Sequence, residues 1–92
     1  MSYRLSYSEE FRRAIRTMPG NYRQRIRWLV ESLAGDPRPP SARPLCDAPG
    51  AYRIRLDAWR LIYEVDDELS TVVILAIRRK SGPETYQDIG HG

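Results

Sequence analysis

The run Tyr52-Arg53-Ile54-Arg55-Leu56-Asp57-Ala58-Trp59-Arg60-Leu61-Ile62-Tyr63-Glu64-Val65 constrains this chain more than any other segment. Apolar residues alternate on both sides of one short polar break, the pattern of a β-hairpin. With Asp57-Ala58 as a two-residue loop, Arg55 stands directly opposite Arg60, and strand alternation puts Arg53 on the same face. Like charges placed opposite each other destabilise a ladder. A chain that gathers three guanidiniums on one small sheet is therefore expected to have an anion to offer them. Arg78-Arg79-Lys80 follows the last apolar strand, and Tyr86 comes after it. Cations beside an aromatic ring can hold an RNA backbone and stack a base.

At 92 residues the chain is one domain, 1–92, with a single modest core and a short flexible tail expected at 89–92. All its basic residues but Lys80 are arginines, which favours forked contacts to phosphate or carboxylate over diffuse charge. Net charge is only +3, so its distribution matters more than its sum. Residues 1–46 are basic, whereas 47–92 are slightly acidic, with acids gathered at Glu64 and the Asp66-Asp67-Glu68 turn. A single cysteine, Cys46, excludes an internal disulfide and a cysteine-rich metal site. The charged first 20 residues and the lack of a long apolar run lead to the expectation of a soluble, cytoplasmic protein with no membrane contact. There is no Ser/His/Asp or Cys/His set, no zinc-ligand spacing and no glycine-rich phosphate loop; His91 stands alone in a Gly-His-Gly tail. The 66–68 turn reads as a solvated turn, so neither a metal nor a cofactor is expected.

Residues 2–7 alternate and predict an opening strand. Ser8 reads as an N-cap, with Glu9 and Glu10 in the first turn, where the helix dipole favours acids. Phe11, Ala14, Ile15 and Met18 mark one helix face, and Pro19-Gly20-Asn21 breaks it. A second helix is predicted over about 21–34, with Tyr22, Ile26, Leu29, Val30 and Leu33 as its stripe, Trp28 off it and Gly35 at C′. Residues 35–50 hold five of the seven prolines and predict an ordered connector. Thr71 to Ile77 is continuously apolar and predicts a central strand buried on both faces. The order β-α-α-β-β-β implies an α+β domain, a helical hairpin on one face of a small antiparallel sheet. The helix arginines Arg12, Arg13, Arg16, Arg23, Arg25 and Arg27 form a basic surface that offers non-specific attraction to RNA phosphate, as do Arg78 and Arg79.

The order of elements, the proline-rich connector, and the segments Tyr52-Arg-Ile-Arg-Leu and Trp59-Arg-Leu-Ile-Tyr-Glu-Val resemble the RelE/ParE superfamily of bacterial toxins. The resemblance runs over roughly residues 3 to 88 and implies the toxin of a type II toxin–antitoxin pair. The RelE branch cuts messenger RNA in the ribosomal A site without metal; the ParE branch poisons DNA gyrase. Carried over by position, the RelE-type site implies Arg53 and Arg55 where the family usually has lysines, and Arg60 on the next strand. It also implies Lys80 (Arg79 the near alternative) as a further phosphate ligand and Tyr86 as the base-stacking aromatic. All these positions are filled, which favours the RelE branch. Arginine stays charged, its pKa being above about 12, so Arg53 and Arg55 are expected to act electrostatically. The proton then goes to Lys80, to a ribosomal group or to water. The resemblance further implies a cognate antitoxin as partner, with ribosome and messenger as targets and DNA reached only through the antitoxin. The competing readings are a ParE-like gyrase inhibitor acting through its helical hairpin, and a non-toxic relative that only binds an antitoxin.

Overall fold

The computed structural model describes residues 2–79. Strand β1 (Arg4–Tyr7) leads into helices α1 (Glu9–Arg16) and α2 (Gly20–Leu33). The connector contains a short β2 (Arg43–Pro44), and β3 (Ala51–Leu56), β4 (Trp59–Asp66) and β5 (Thr71–Arg79) follow.

The helices start and pack for the reasons their sequences give. Ser8 is extended, and its hydroxyl accepts the Phe11 amide at 3.0 Å, with Glu9 and Glu10 in the first turn. Phe11 and Met18 are buried, and Ala14 and Ile15 pack against the core. Helix α2 begins directly after Pro19 without a side-chain cap and buries Ile26, Val30 and Leu33. It ends through the Ala34 amide, which donates to the carbonyls of Glu31 and Ser32. Gly35 follows at C′ without the left-handed conformation that glycine permits.

The sheet order is β1-β5-β4-β3-β2, with both helices packed on one side, so the α+β layout is as expected. Two features correct the simpler antiparallel picture. Arg43 and Pro44 of the connector pair with Arg53 and Tyr52, which adds a fifth strand. Strand β1 runs parallel to β5, so the sheet is mixed. Alternation in a sequence reports which side chains share a face, not the direction of the strand. The chain leaves β1 through two helices and a connector, and the edge left open to β1 lies beside β5.

Ile54, Leu61, Tyr63, Val65, Val72, Ile74 and Ile77 form the sheet side of the core against Phe11, Ile26, Val30 and Leu33. Strand β5 is central, as predicted, but not buried on both faces: Val72, Ile74, Ala76 and Ile77 are buried, whereas Val73 and Leu75 are half-buried. The helices cover only one side, so the other stays accessible.

The connector is pinned to this core. Pro37 is buried, and its carbonyl accepts the Tyr63 hydroxyl at 2.8 Å. Burial pushes the Tyr63 phenol up to about 12. Arg38 donates from Nε to the Tyr52 hydroxyl at 2.9 Å and pairs with Asp67 at 2.8 Å; Asp67 also accepts from the Tyr3 hydroxyl at 2.6 Å. The connector, both ends of the sheet and the β4–β5 turn are thus tied through two side chains.

The Tyr63 bond is testable. Tyr63→Phe leaves the Pro37 carbonyl unpaired in the interior and should lower stability by about 1–3 kcal/mol in urea denaturation. An unchanged midpoint would mean that the hydroxyl contributes nothing net to anchoring the connector.

Candidate nucleic-acid interface

The predicted hairpin register is present. Leu56 pairs with Trp59 and Arg55 with Arg60, which leaves Asp57 and Ala58 as the loop. Asp57 takes φ 55°, a left-handed conformation that aspartate tolerates better than most residues. On the other side of β4, Arg60 stands opposite Arg78. Arg55, Arg60 and Arg78 therefore form one row across three strands. A second row runs beside it, with Arg53 between Ile62 of β4 and Arg43 of β2. Ile54, Leu61 and Tyr63 point to the helices, so the alternate arginines occupy the opposite face.

Arg78 reaches that face because of an irregularity in β5. Tyr63 pairs with Ile74 but Ile62 pairs with Ala76, so Leu75 is an extra residue in the ladder. Strict alternation from Val72 and Ile74 would have sent Arg78 into the core. The bulge shifts the phase by one: Ile77 meets Leu61 on the core side and Arg78 meets Arg60 on the open side. Sequence reasoning missed this, because a continuous apolar run carries no period from which a phase change could be read.

Arg53 and Arg60 are half-buried and engaged by further interactions, whereas Arg55 and Arg78 are exposed. Arg78 pairs with Glu10 of α1, Nε to Oε2 at 3.1 Å. The Asp57 carboxylate does not neutralise the neighbouring arginines; Arg25 of α2 binds it at 2.8 Å. That contact holds the Asp57 carboxyl below its usual value of 3.8. The Arg25 guanidinium lies 5.4 Å from the centre of the Tyr22 ring, which tilts against Trp59. Helix α2 thus clamps the loop between Arg55 and Arg60. At the opposite end of the sheet, Glu64, Asp66, Asp67 and Glu68 surround an acidic depression, so the domain carries opposite charge at its two ends.

Other predicted residues lie elsewhere. Arg79 turns toward the helical side, 5.9 Å from the Trp59 ring centre. Arg12, Arg13 and Arg16 are exposed on α1, apart from the sheet arginines, and Arg13 pairs with Glu9 at 3.7 Å. Arg16, Arg23 and Arg27 rim a groove of about 400 Å3 floored by Phe11, Ile15 and Val30. Trp28 is 60% exposed on α2. Lys80 and Tyr86 lie outside the described residues. Arg43 and Ser41, which join the arginine face, were not singled out in the sequence; a two-residue strand containing a proline leaves no alternation to find. Among the described residues, no three His, Cys, Asp or Glu side chains are placed to hold a metal ion, and no helix is long and apolar enough to cross a membrane.

A two-helix layer on a mixed five-stranded sheet with a cationic open face is the architecture of small type II toxins. The family described as "ParE toxin of type II toxin-antitoxin system, parDE" matches residues 3–82, and the chain belongs to it, within the RelE/ParE superfamily. Among its relatives is the mRNA interferase toxin RelE of Escherichia coli K12, 26% identical over 90 residues, which span 96% of this chain and 94% of that protein. The crystal structure of the isolated E. coli RelE toxin superposes with a TM-score of 0.78 at 22% identity, covering 97% of this chain and 96% of that one. An archaeal RelE–RelB complex from Pyrococcus horikoshii OT3 also gives 0.78, at 23% identity over 88% of this chain and 98% of that one.

The loop clamp predicts a pH dependence. Asp57 has a lowered folded-state pKa, so the stability it contributes is present above the unfolded value near 3.8 and lost as pH falls through the folded value. Asp57→Asn keeps a residue that accepts left-handed φ and removes the charge. Its melting temperature should fall below wild type at pH 7, and the gap should close below pH 3.8. A gap of the same size at both pH values would assign the effect to the backbone rather than to Arg25.

Proposed function

We propose that this toxin is a ribosome-dependent, metal-free messenger RNA endoribonuclease that cuts codons in the A site. The observation that carries the reading is the row Arg55, Arg60, Arg78, with Arg53 beside it, on an accessible sheet face. In this chemistry the ribose 2′-hydroxyl attacks the adjacent phosphodiester. The bond to the 5′-oxygen breaks, leaving a 2′,3′-cyclic phosphate and a 5′-hydroxyl. The nucleophile belongs to the substrate, so the protein need only orient the strand and stabilise charge developing on the phosphorane. Arg60, flanked by arginines on both sides, is the residue assigned to that charge. Arg53 and Arg55 hold the backbone and Tyr86 stacks a base. Lys80, the one lysine, is the titratable cation available as proton acceptor. The Glu10 pairing of Arg78 is a surface contact that a phosphate can displace, since such pairs are weak in water.

The partner reading is a cognate antitoxin. It is supported by the antitoxin-bound state of similar toxins, such as the archaeal RelE–RelB complex. Acidic antitoxin side chains would complement both the sheet arginines and the arginine-rimmed groove between α1 and α2. One finding favours a second activity: the matching family is described by ParE, and in that branch the target is gyrase. In that case the sheet arginines are dispensable and the helical groove carries the toxicity.

Primer extension on a defined messenger in a purified translation system separates the two. Wild type should cut within A-site codons only when ribosomes are present. Arg60→Ala should lower the cleavage rate by about 10²–10³-fold, the usual effect of removing one preorganised transition-state donor. Intact messenger with wild type, together with inhibited supercoiling by gyrase, would replace the nuclease reading with the second.

A further inference from the structure

The arginine face does not stop at the hairpin. Arg43 on β2 stands opposite Arg53, and Arg53 is one alternation from Arg55 along β3. These three side chains and Ser41 line a depression of about 370 Å3 at the β2 edge. The Arg43 guanidinium is fixed by its own connector, Nη1 donating to the carbonyls of Pro40 at 2.9 Å and Ala42 at 3.1 Å. The N–H groups on Nε and Nη2 remain, and that edge of a guanidinium forms a two-pronged contact with a phosphate. Among the described residues, no Asp or Glu makes an ion pair with Arg43.

A charge on an edge strand commonly serves to block pairing with other chains. That role requires only a solvated cation and gains nothing from holding it still. Arg43 is instead ordered by two backbone contacts and set directly against Arg53, where like charges oppose each other. An anion between them removes both costs.

The geometry points to a second phosphate subsite built by Arg43 and Ser41 together with Arg53. It takes the backbone phosphate one nucleotide away from the phosphate held by the Arg55–Arg60–Arg78 row. Same-face positions on a strand are about 6.6 Å apart, so the two rows engage successive linkages of one extended strand. The subsite rests on the RNA reading above and adds to it: the substrate is held at two phosphates, the second by the connector.

The test uses the full chain and 2′-O-methyl RNA, which cannot be cleaved because the attacking oxygen is blocked. Calorimetric titrations compare a dinucleotide with one linkage and a trinucleotide with two. Wild type should bind the trinucleotide about tenfold more tightly, the effect of one charge-assisted contact. Arg43→Ala should abolish that advantage, leave dinucleotide affinity unchanged, and reduce the salt slope for the trinucleotide by about 0.7. Arg43→Lys, which keeps charge but not the fork, should keep the slope and lose most of the advantage. An Arg43→Ala protein that retains the advantage overturns the subsite. Equal weakening toward both oligonucleotides overturns it too, since that assigns Arg43 a structural role. Wild type that binds neither overturns the subsite and the RNA reading together. A trinucleotide advantage that depends on Arg43, in a protein that fails to cut messenger on ribosomes, upholds the subsite and sinks only the nuclease.

Discussion

Arg55 and Arg60 are held opposite each other by the core on the far side of the same two strands. Along β4, Leu61, Tyr63 and Val65 are buried while Arg60, Ile62 and Glu64 take the alternate positions. A slip of one residue would expose all three buried side chains and drive Arg60 and Glu64 inward. Full burial of a large apolar side chain contributes about 1.5–3 kcal/mol. Repulsion within one directly opposed pair is about 0.2–1 kcal/mol. The apolar face therefore dictates the register, and the charged face accepts whatever juxtaposition results. A cluster of like charges on so small a sheet is sustainable because the residues that set it are not the residues that form it.

The local features of this fold were legible in the chain. The Ser8 cap, the stripes of both helices, the Asp57-Ala58 loop and the Arg55–Arg60 opposition each depend on residues a few positions apart. What escaped depends on partners far away in sequence. The direction of β1 is set by the route of the whole chain, and β2 is a strand only because β3 offers it an edge. The bulge at Leu75 is hidden inside an uninterrupted apolar run, yet it decides which face Arg78 joins. Local periodicity thus located three members of the arginine face, and only the sheet pairing supplied Arg43 and the opposition of Arg60 and Arg78.

The superfamily places one scaffold under two chemistries, and the fold by itself does not choose between them. The choice lies in what the open sheet face carries. In this chain it carries arginine at each hairpin position where the RelE branch usually has lysine. A lysine site can lose a proton and with it both its charge and its grip. An arginine site stays cationic throughout the biological pH range, so anion binding on this face is decoupled from acidity. Any proton transfer must then be assigned to another group, which separates binding from acid–base work more sharply than a lysine site would.

The parallel pairing of β1 with β5 also governs the order in which the domain can assemble. The β3–β4–β5 meander closes through short loops, whereas β1 must find a partner near the far end of the described chain. Closing so long a loop carries an entropic cost, and contacts of high sequence separation form late. Helix α1 is subject to the same delay, since the Ser8 amide donates to the carbonyl of Ile74 and its hydroxyl to that of Leu75. The arginine rows consequently come together before Glu10 arrives to pair with Arg78. Assembly proceeds from the centre of the sheet outward, and the cationic face passes through a stage in which its own acidic counterweight is missing.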